Sequence, residues 1–412
     1  ELGAVINAGN HLETGHFWDV KTCTGPADEH DQQQLTAPDP TGGLKTLFDG
    51  PLASLLPGGT LPAYPDAPHC NQRGLTGLGD YLIGQMAKRH DVLQLDHMDA
   101  KTADAALALA EKLHYSGVVS AHSWDSPPES GRIYKLGGFV TPIAGSSPAA
   151  FVDEWRADKK LRAKSNPYRF GFGYGSDMNG LAEQAQPTST HPIAYPFTSL
   201  SGGVTFSRER WGQRVFDLND DGLANYGLYP DWLQELQKLG GPQVGKDMLA
   251  GAESYLEMWE RADGIRGPNC RARHAVFRAA SIGAFRLGDG YEAVLRRAGQ
   301  PADRTATGYR WCVKRSKKAL RVAFTPAGKV GMIATTASDH SSGKVHPGAN
   351  ATVLRGRAKK AGGGLWLGPK RVGGRRMAFG VRGGRVRFVA LAGRAAGRNA
   401  RTVRAYLRRA GV

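Results

Sequence analysis

The sequence predicts an α/β body followed by a small, basic all-β domain. Three observations predict it. Strand-like and helix-like segments alternate between residues 71 and 300, strands separated by glycine turns take over after residue 300, and the charge changes sign at the same place. Residues 1–70 precede both as a loop-rich segment. In it, "TGPADEHDQQQLTAPDPTGG" and "LPGGTLPAYPDAPHC" are rich in Pro, Gly and Asp.

Each element of the body has its own justification. "GLTGLGDYLIGQMAKRH" reads as a helix, with Thr76 as N-cap and Leu78, Leu82, Ile83 and Met86 at helical spacing. A strand at 92–96 is followed by the helix "TADAALALAEKLH". "GVVSAHS" is a second strand, with a short helix "GRIYKLGG" after it. "GFVTPIAG" is a third, "AAFVDEWRADKKLRAK" its helix, and "RFGFGYGSDMNG" a fourth strand. Four such units fit a parallel sheet or barrel. Residues 186–228 form a polar excursion in which "GGVTFSRERWGQRVFDL" suits a β-hairpin. "YPDWLQELQKLG" and "VGKDMLAGAESYLEMWERA" read as two closing helices. Beyond residue 300, "ALRVAFTPAGKVGMIATT", "GGLWLGPK" and "RRMAFGVRGGRVRFVALA" alternate as strands, with arginine on solvent-facing positions. That pattern predicts a β-sandwich or open barrel over 301–412, ending in the amphipathic "RTVRAYLRRAGV".

Composition bounds the class. The 412 residues are 41% hydrophobic and include eight Trp, which argues for folded structure over disorder. No run approaches 18 apolar residues, so no transmembrane helix is expected. The chain opens at Glu1 without a signal-peptide pattern, which reads as a processed form or a fragment. Residues 301–412 hold 26 Lys and Arg against two acids, Asp303 and Asp339. A field of that sign attracts anionic lipid, cell-envelope polymer or nucleic acid, or simply solubilises the chain. Nucleic acid is disfavoured, because few aromatics (Trp366, Phe379, Phe388, Tyr406) interleave the charge and no known motif appears. The four cysteines form no C-x-x-C. Their even count and wide spacing suit two disulfides, Cys23–Cys70 and Cys270–Cys312, in an oxidising compartment; buried free thiols are the alternative.

Three polar groups share one address. His97 ends the first strand ("VLQLDHMDA"), His122 ends the second, and Asp177 ends the fourth, flanked by Gly173, Gly175 and Gly180. The carboxyl ends of strands are where α/β barrels build sites. Imidazoles from adjacent strands can converge on one divalent ion, with a carboxylate to handle its water. Asp96 and Asp99 read as supporting or capping groups. His11, Glu13 and His16 of "HLETGHFWD" lie in loop-like sequence and read as structural.

"GLTGLGDYLIGQMAKRHDVLQLDHMD", "GVVSAHS", "GFGYGSDMNG" and the helix pair from "YPDWLQELQKLG" resemble, in order over residues 70–262, the membrane (renal) dipeptidase family of zinc metallopeptidases. The resemblance implies the C-terminal half of an amidohydrolase-like TIM barrel. It also implies hydrolysis of a small peptide or amide by a metal-bound water at a binuclear Zn2+ site. It makes His97 and His122 ligands of one zinc and Asp177 the catalytic residue that relays the water's proton. The family's first-strand His-x-Asp or His-x-His motif, its bridging Glu and its arginine pair after "SHS" have no counterpart; Arg132 reads as the start of a helix. The expectation is therefore a secreted or envelope-associated, dipeptidase-type hydrolase that holds half of the site and is incomplete as given. The alternative is a non-catalytic binder of anionic cell-envelope polymer or membrane surface through residues 301–412.

Overall fold

The computed structural model describes residues 2–24, 64–66, 69–123, 127–178, 183–188 and 190–412. The chain divides into two compact units, Glu1–Ala262 and Asp263–Val412.

Unit 1 opens with helix α1 (Leu2–Thr14), where the sequence suggested loop. Polar side chains tie it down. Asn7, fully buried, donates to the Tyr64 hydroxyl and accepts from the Trp18 amide, and the Thr14 hydroxyl donates to the Asn10 carbonyl at the helix end. Strands β1 (Val20–Thr22) and β2 (His69–Asn71) pair antiparallel, and the Cys23–Cys70 disulfide staples them.

The alternation read from the sequence follows. Helix α2 (Gly77–Arg89) starts at Thr76, whose hydroxyl accepts from the Gly79 amide, and leads to β3 (Leu93–Gln94). Helix α3 (Ala100–Lys112), β4 (Val118–Ser120), α4 (Pro127–Leu136), β5 (Phe139–Val140) and α5 (Pro148–Ser165) continue the pattern. β3, β4 and β5 form one parallel sheet in that order, with Leu93 opposite Val118 and Val119 opposite Phe139. Helix α3 buries Ala103, Ala106, Leu107 and Ala110 on one face, and Leu107, Ala106 and Ala110 share a core with Leu93 of β3 and Val118 of β4.

The fourth predicted strand is reduced to a single parallel bridge, Ile143 to Gly175, so the described residues make a three-stranded sheet with an added edge and no closed barrel. Close backbone approach explains the glycines of this segment. A Cβ on Gly171 would lie 2.3 Å from the Ala250 carbonyl oxygen, and one on Gly175 would lie 2.3 Å from that of Ala121.

The polar excursion holds two small hairpins, β6 (Phe197–Thr198) with β7 (Thr205–Phe206) and β8 (Glu209–Trp211) with β9 (Arg214–Phe216), then the short helix α6 (Leu218–Asp221). Helix α7 (Tyr229–Gly240) buries Trp232 and Leu236 against Phe151 and Phe172. The second closing helix is split into α8 (Pro242–Leu249) and α9 (Gly251–Ala262). Gly251 packs on the Phe172 carbonyl, where a side chain would collide at 2.6 Å.

Unit 2 begins earlier than residue 301. The two-residue strands β10 (Ala275–Val276), β11 (Ser281–Ile282) and β12 (Phe285–Arg286) and helix α10 (Tyr291–Ala298) belong to it. Phe277, Ile282, Phe285 and Val294 share one core cluster with Trp311, Val322 and Leu391, and Cys270 is disulfide-bonded to Cys312. The polar, glycine-containing character of 263–300 concealed that allegiance.

Its centre is one antiparallel sheet of eight strands in the order β13-β14-β15-β16-β21-β20-β19-β18. These strands are β13 (Asp303–Thr305), β14 (Gly308–Val313), β15 (Ser316–Phe324), β16 (Val330–Thr335), β18 (Lys359–Lys360), β19 (Leu365–Leu367), β20 (Arg376–Arg382) and β21 (Arg385–Ala392); β17 (His340–Ser341) pairs with β10. The sequence predicts a β-sandwich or open barrel; the strands form one sheet with edges β13 and β18, and other layers cover both of its faces. On one face Trp311, Val322 and Ile333 meet Phe277, Phe285 and α10. On the other, Ala323, Ala334, Ala378 and Ala390 leave room for helix α11 (Ala400–Arg409) to insert Val403, Tyr406 and Leu407. β16 is accordingly buried at every position, whereas arginine occupies the two ends of β20 and the first half of β21.

Candidate active site of unit 1

Asp96 sets the frame. It is buried beyond the end of β3, its Oδ1 accepting from the Ser120 hydroxyl and its Oδ2 from the Ala121 amide, each at 2.8 Å. A carboxylate bonded to the neighbouring strand in this way fixes the turn that carries His97 against the turn that carries His122. Asp99 caps α3, accepting from the Thr102 amide and hydroxyl. Asp96 therefore supports the His97 turn and Asp99 caps a helix, the two kinds of role their positions suggest.

The three predicted residues meet. The His97 and His122 rings lie edge to face with centroids 4.9 Å apart, and His122 Nε2 is 2.6 Å from Asp177 Oδ2. A carboxylate only accepts, so Nε2 is the donor in this contact. The His122 side chain is 19% exposed and that of Asp177 37%, so the pair is sheltered yet open to a small molecule.

The backbone here is in an unfavourable region. His97 (φ 66°), Ser123 (φ 54°) and Asp177 (φ 42°) are all left-handed without being glycine. Each such residue costs of order 1–3 kcal/mol and persists only where neighbours over-determine it. Asp96 does so for His97. For Ser123, the hydroxyl donates to Glu154 and accepts from the Ile143 amide at 3.0 Å. Gly175 holds the Asp177 segment against the end of β4, as described above. Gly173 has only ordinary contact with Thr141, and Gly180 lies outside the described residues.

Other candidates go elsewhere. Arg132 forms a fork on Glu111, with both nitrogen–oxygen distances 2.9 Å, and also pairs with Asp104, which removes it from any substrate carboxylate. These partners raise its pKa and hold that of Glu111 down. His11, on α1, packs against Phe17 with tilted rings whose centroids are 4.1 Å apart.

Sequence reasoning missed a cavity of about 500 Å³ lined by Phe139, Thr141, Tyr174, Leu233, Tyr255 and Leu256. Thr141 is buried, and its hydroxyl has no hydrogen-bond partner among the described residues. Burial raises the Tyr174 pKa. Tyr174 is three residues from Asp177, and Thr141 hydrogen-bonds through its amide to the Ser120 carbonyl at the end of β4. No local pattern marks these residues, because helices α7 to α9 bring the far wall.

Two imidazoles and a carboxylate are a zinc-type donor set. Among the described residues, however, no group of three His, Cys, Asp or Glu is arranged to hold a metal ion. The described residues alone do not fit a closed zinc site.

No protein-family model matches the chain, and no curated protein does. Among solved structures, an amidohydrolase from Pseudomonas aeruginosa is 16% identical, with a TM-score of 0.27. The match covers 46% of this chain and 58% of that one, so the chain spans little more than half its length. Likeness at that level carries no argument about activity.

Proposed function

We propose that the chain is a hydrolase acting on an amide or peptide bond of a small substrate at the His97–His122–Asp177 cluster. The observation that supports this most is the 2.6 Å His122–Asp177 contact beside the His97 ring, at the carboxyl ends of adjacent parallel strands. Asp177 orients the imidazole and stabilises the imidazolium that forms when the ring takes a proton from an attacking water. The proton-relay role expected of Asp177 is then shared with His122. The apolar cavity lined by Thr141 and Tyr174 would take a substrate side chain.

The zinc-dependent, dipeptidase-type form of this proposal is supported by the motif resemblance and by the donor types. Secretion or envelope association is supported by the two disulfides. The test is release of free amine from a panel of dipeptides by the purified chain beside His122→Ala, with zinc content measured by elemental mass spectrometry on these and on His97→Ala. Hydrolysis lost in a folded His122→Ala supports the hydrolase. Stoichiometric zinc lost in both variants supports its metal-dependent form, and zinc-free hydrolysis removes that form. No hydrolysis of any dipeptide overturns the reading.

The second reading, a non-catalytic binder of anionic envelope polymer or membrane, is favoured by the excess of 26 cations over two acids in residues 301–412. Salt-sensitive retention on an anionic matrix without hydrolysis would support it.

A further inference from the structure

Unit 2 contains a cavity of about 550 Å³ on the α11 face of its sheet, beside the helix and over β19 at Leu365, β20 at Gly380–Arg382 and β21 at Arg387–Phe388. Its floor is apolar: Leu365, Phe388, Leu407 and Val412. Its rim carries Arg382, Arg387, Arg404 and Arg408, and no acidic side chain lines it.

The cavity is built rather than incidental. Helix α11 covers the sheet where Ala378 of β20 and Ala390 of β21 admit it, and the cavity lies further along the same two strands, at Gly380–Arg382 and Arg387–Phe388. Arg404 on α11 donates to the Ala361 and Gly362 carbonyls and so holds the turn Gly362–Gly364, whose φ angles are all positive (81°, 52°, 72°). Phe388 lies over Gly380, its cross-strand partner, where a Cβ would come within 2.1 Å of the ring. The glycine therefore keeps that ring flat against the floor.

The charge is uncompensated. The only two acids of residues 301–412 are committed elsewhere, Asp339 to Arg273 at 2.8 Å and Asp303 toward Arg310 at 3.6 Å. Arg382 and Arg408 are exposed and make no ion pair among the described residues. Arginine on a rim presents planar forks suited to carboxylate or phosphate, and an apolar floor of this size suits a chain or ring.

We propose that this cavity binds an anionic amphiphile, an acyl or alkyl chain ending in a phosphate or carboxylate, with the chain on Leu365, Phe388 and Leu407 and the head group between Arg382 and Arg408. The site is independent of the hydrolytic cluster, and its fate does not depend on that of the hydrolase reading.

The test is calorimetric titration of the full chain with dodecyl phosphate below its micellar concentration, beside inorganic phosphate, polyphosphate and dodecyl maltoside. The variant is Arg382→Ala/Arg408→Ala, whose fold is checked by circular dichroism; neither side chain supports the sheet. One dodecyl phosphate should bind per chain, about tenfold or more weaker in the double variant, the effect of losing charge-assisted contacts. Inorganic phosphate and dodecyl maltoside should each bind at least about tenfold more weakly than dodecyl phosphate. Equal affinity for either comparator, an unchanged double variant, or binding of polyphosphate with none of dodecyl phosphate would overturn the proposal, the last in favour of a polyanion surface.

Discussion

The two units solve the same problem in opposite ways. Unit 1 rests on strands of two or three residues, its parallel sheet in register over two pairs between neighbours, and helices α2 to α5 supply the burial around that sheet. Unit 2 rests on long antiparallel ladders, seven pairs between β20 and β21 alone, and is covered on both faces. Strain follows the same division. Of the six described non-glycine residues with positive φ, five are in unit 1, and three of those are His97, Ser123 and Asp177. A ladder averages its contacts over many residues. A parallel sheet of short strands ends in turns, and turns can hold side chains in one costly arrangement. The difference teaches where chemistry is to be sought: in unit 1 at strand ends, in unit 2 on surfaces.

If that contrast is right, perturbations should sort by unit. The largest effect is expected from Asp177→Asn, which keeps the shape and removes the charge on His122. Amide hydrolysis should fall about 100- to 10,000-fold, the range for loss of acid–base assistance, with no change in the melting of unit 2. Steady-state kinetics and calorimetry on one preparation would check both halves, and unchanged turnover would break the comparison at its catalytic end.

Next comes Trp311→Ala. Trp311 is fully buried and donates from Nε1 to the Gly299 carbonyl, so unit 2 should lose about 3–5 kcal/mol in denaturant unfolding while hydrolysis is retained. Opening the Cys270–Cys312 bridge, which spans 42 residues, should cost unit 2 about 4 kcal/mol on loop entropy. Urea unfolding of a Cys270→Ala/Cys312→Ala variant measures it. An equal loss in unit 1 would mean that the two units do not unfold separately.

Asp96→Asn sharpens the other side. It weakens charge-assisted bonds to Ser120 and Ala121 that are each worth about 1.5–3 kcal/mol, so unit 1 should lose a few kcal/mol. Turnover should fall together with the His97–His122 geometry, read from the histidine ring resonances by NMR.

The smallest effect concerns pH. His340, buried between the Thr335 hydroxyl on Nδ1 and the Ala272 carbonyl on Nε2, has its pKa pushed below 6.5, first by desolvation. A histidine held neutral in the fold and able to charge when unfolded contributes its full stability above the unfolded pKa. That contribution is lost as pH falls below about 6.5 toward the folded value. Melting of unit 2 should therefore decline slightly over that window, and His340→Gln should flatten the decline.

Much of this was legible locally. Thr76 and Asp99 announce helix starts because a cap needs only one side chain and the next turn. His97 and His122 could be placed together because matching positions at strand ends share one face. The limits are as specific. Helix α1, held by the buried Asn7 and by Tyr64, 57 positions away, has no local signal. The reduction of the fourth strand to a bridge at Gly175 depends on how near Ala121 comes. Arginine alternation suggested a solvated face on every strand, whereas the alanines of β16, β20 and β21 mark a face covered by α11.

By itself, then, the sequence determined the order and type of most elements, the break in charge, and which residues could do chemistry, since capping, periodicity and composition act over a few residues. Only the tertiary structure decided that His122 meets Asp177 across 55 positions, that residues 263–300 belong with the basic unit, and that an apolar hollow lies under the arginines. Those outcomes depend on which distant surfaces exclude water together, a property of the packed chain that no local window contains.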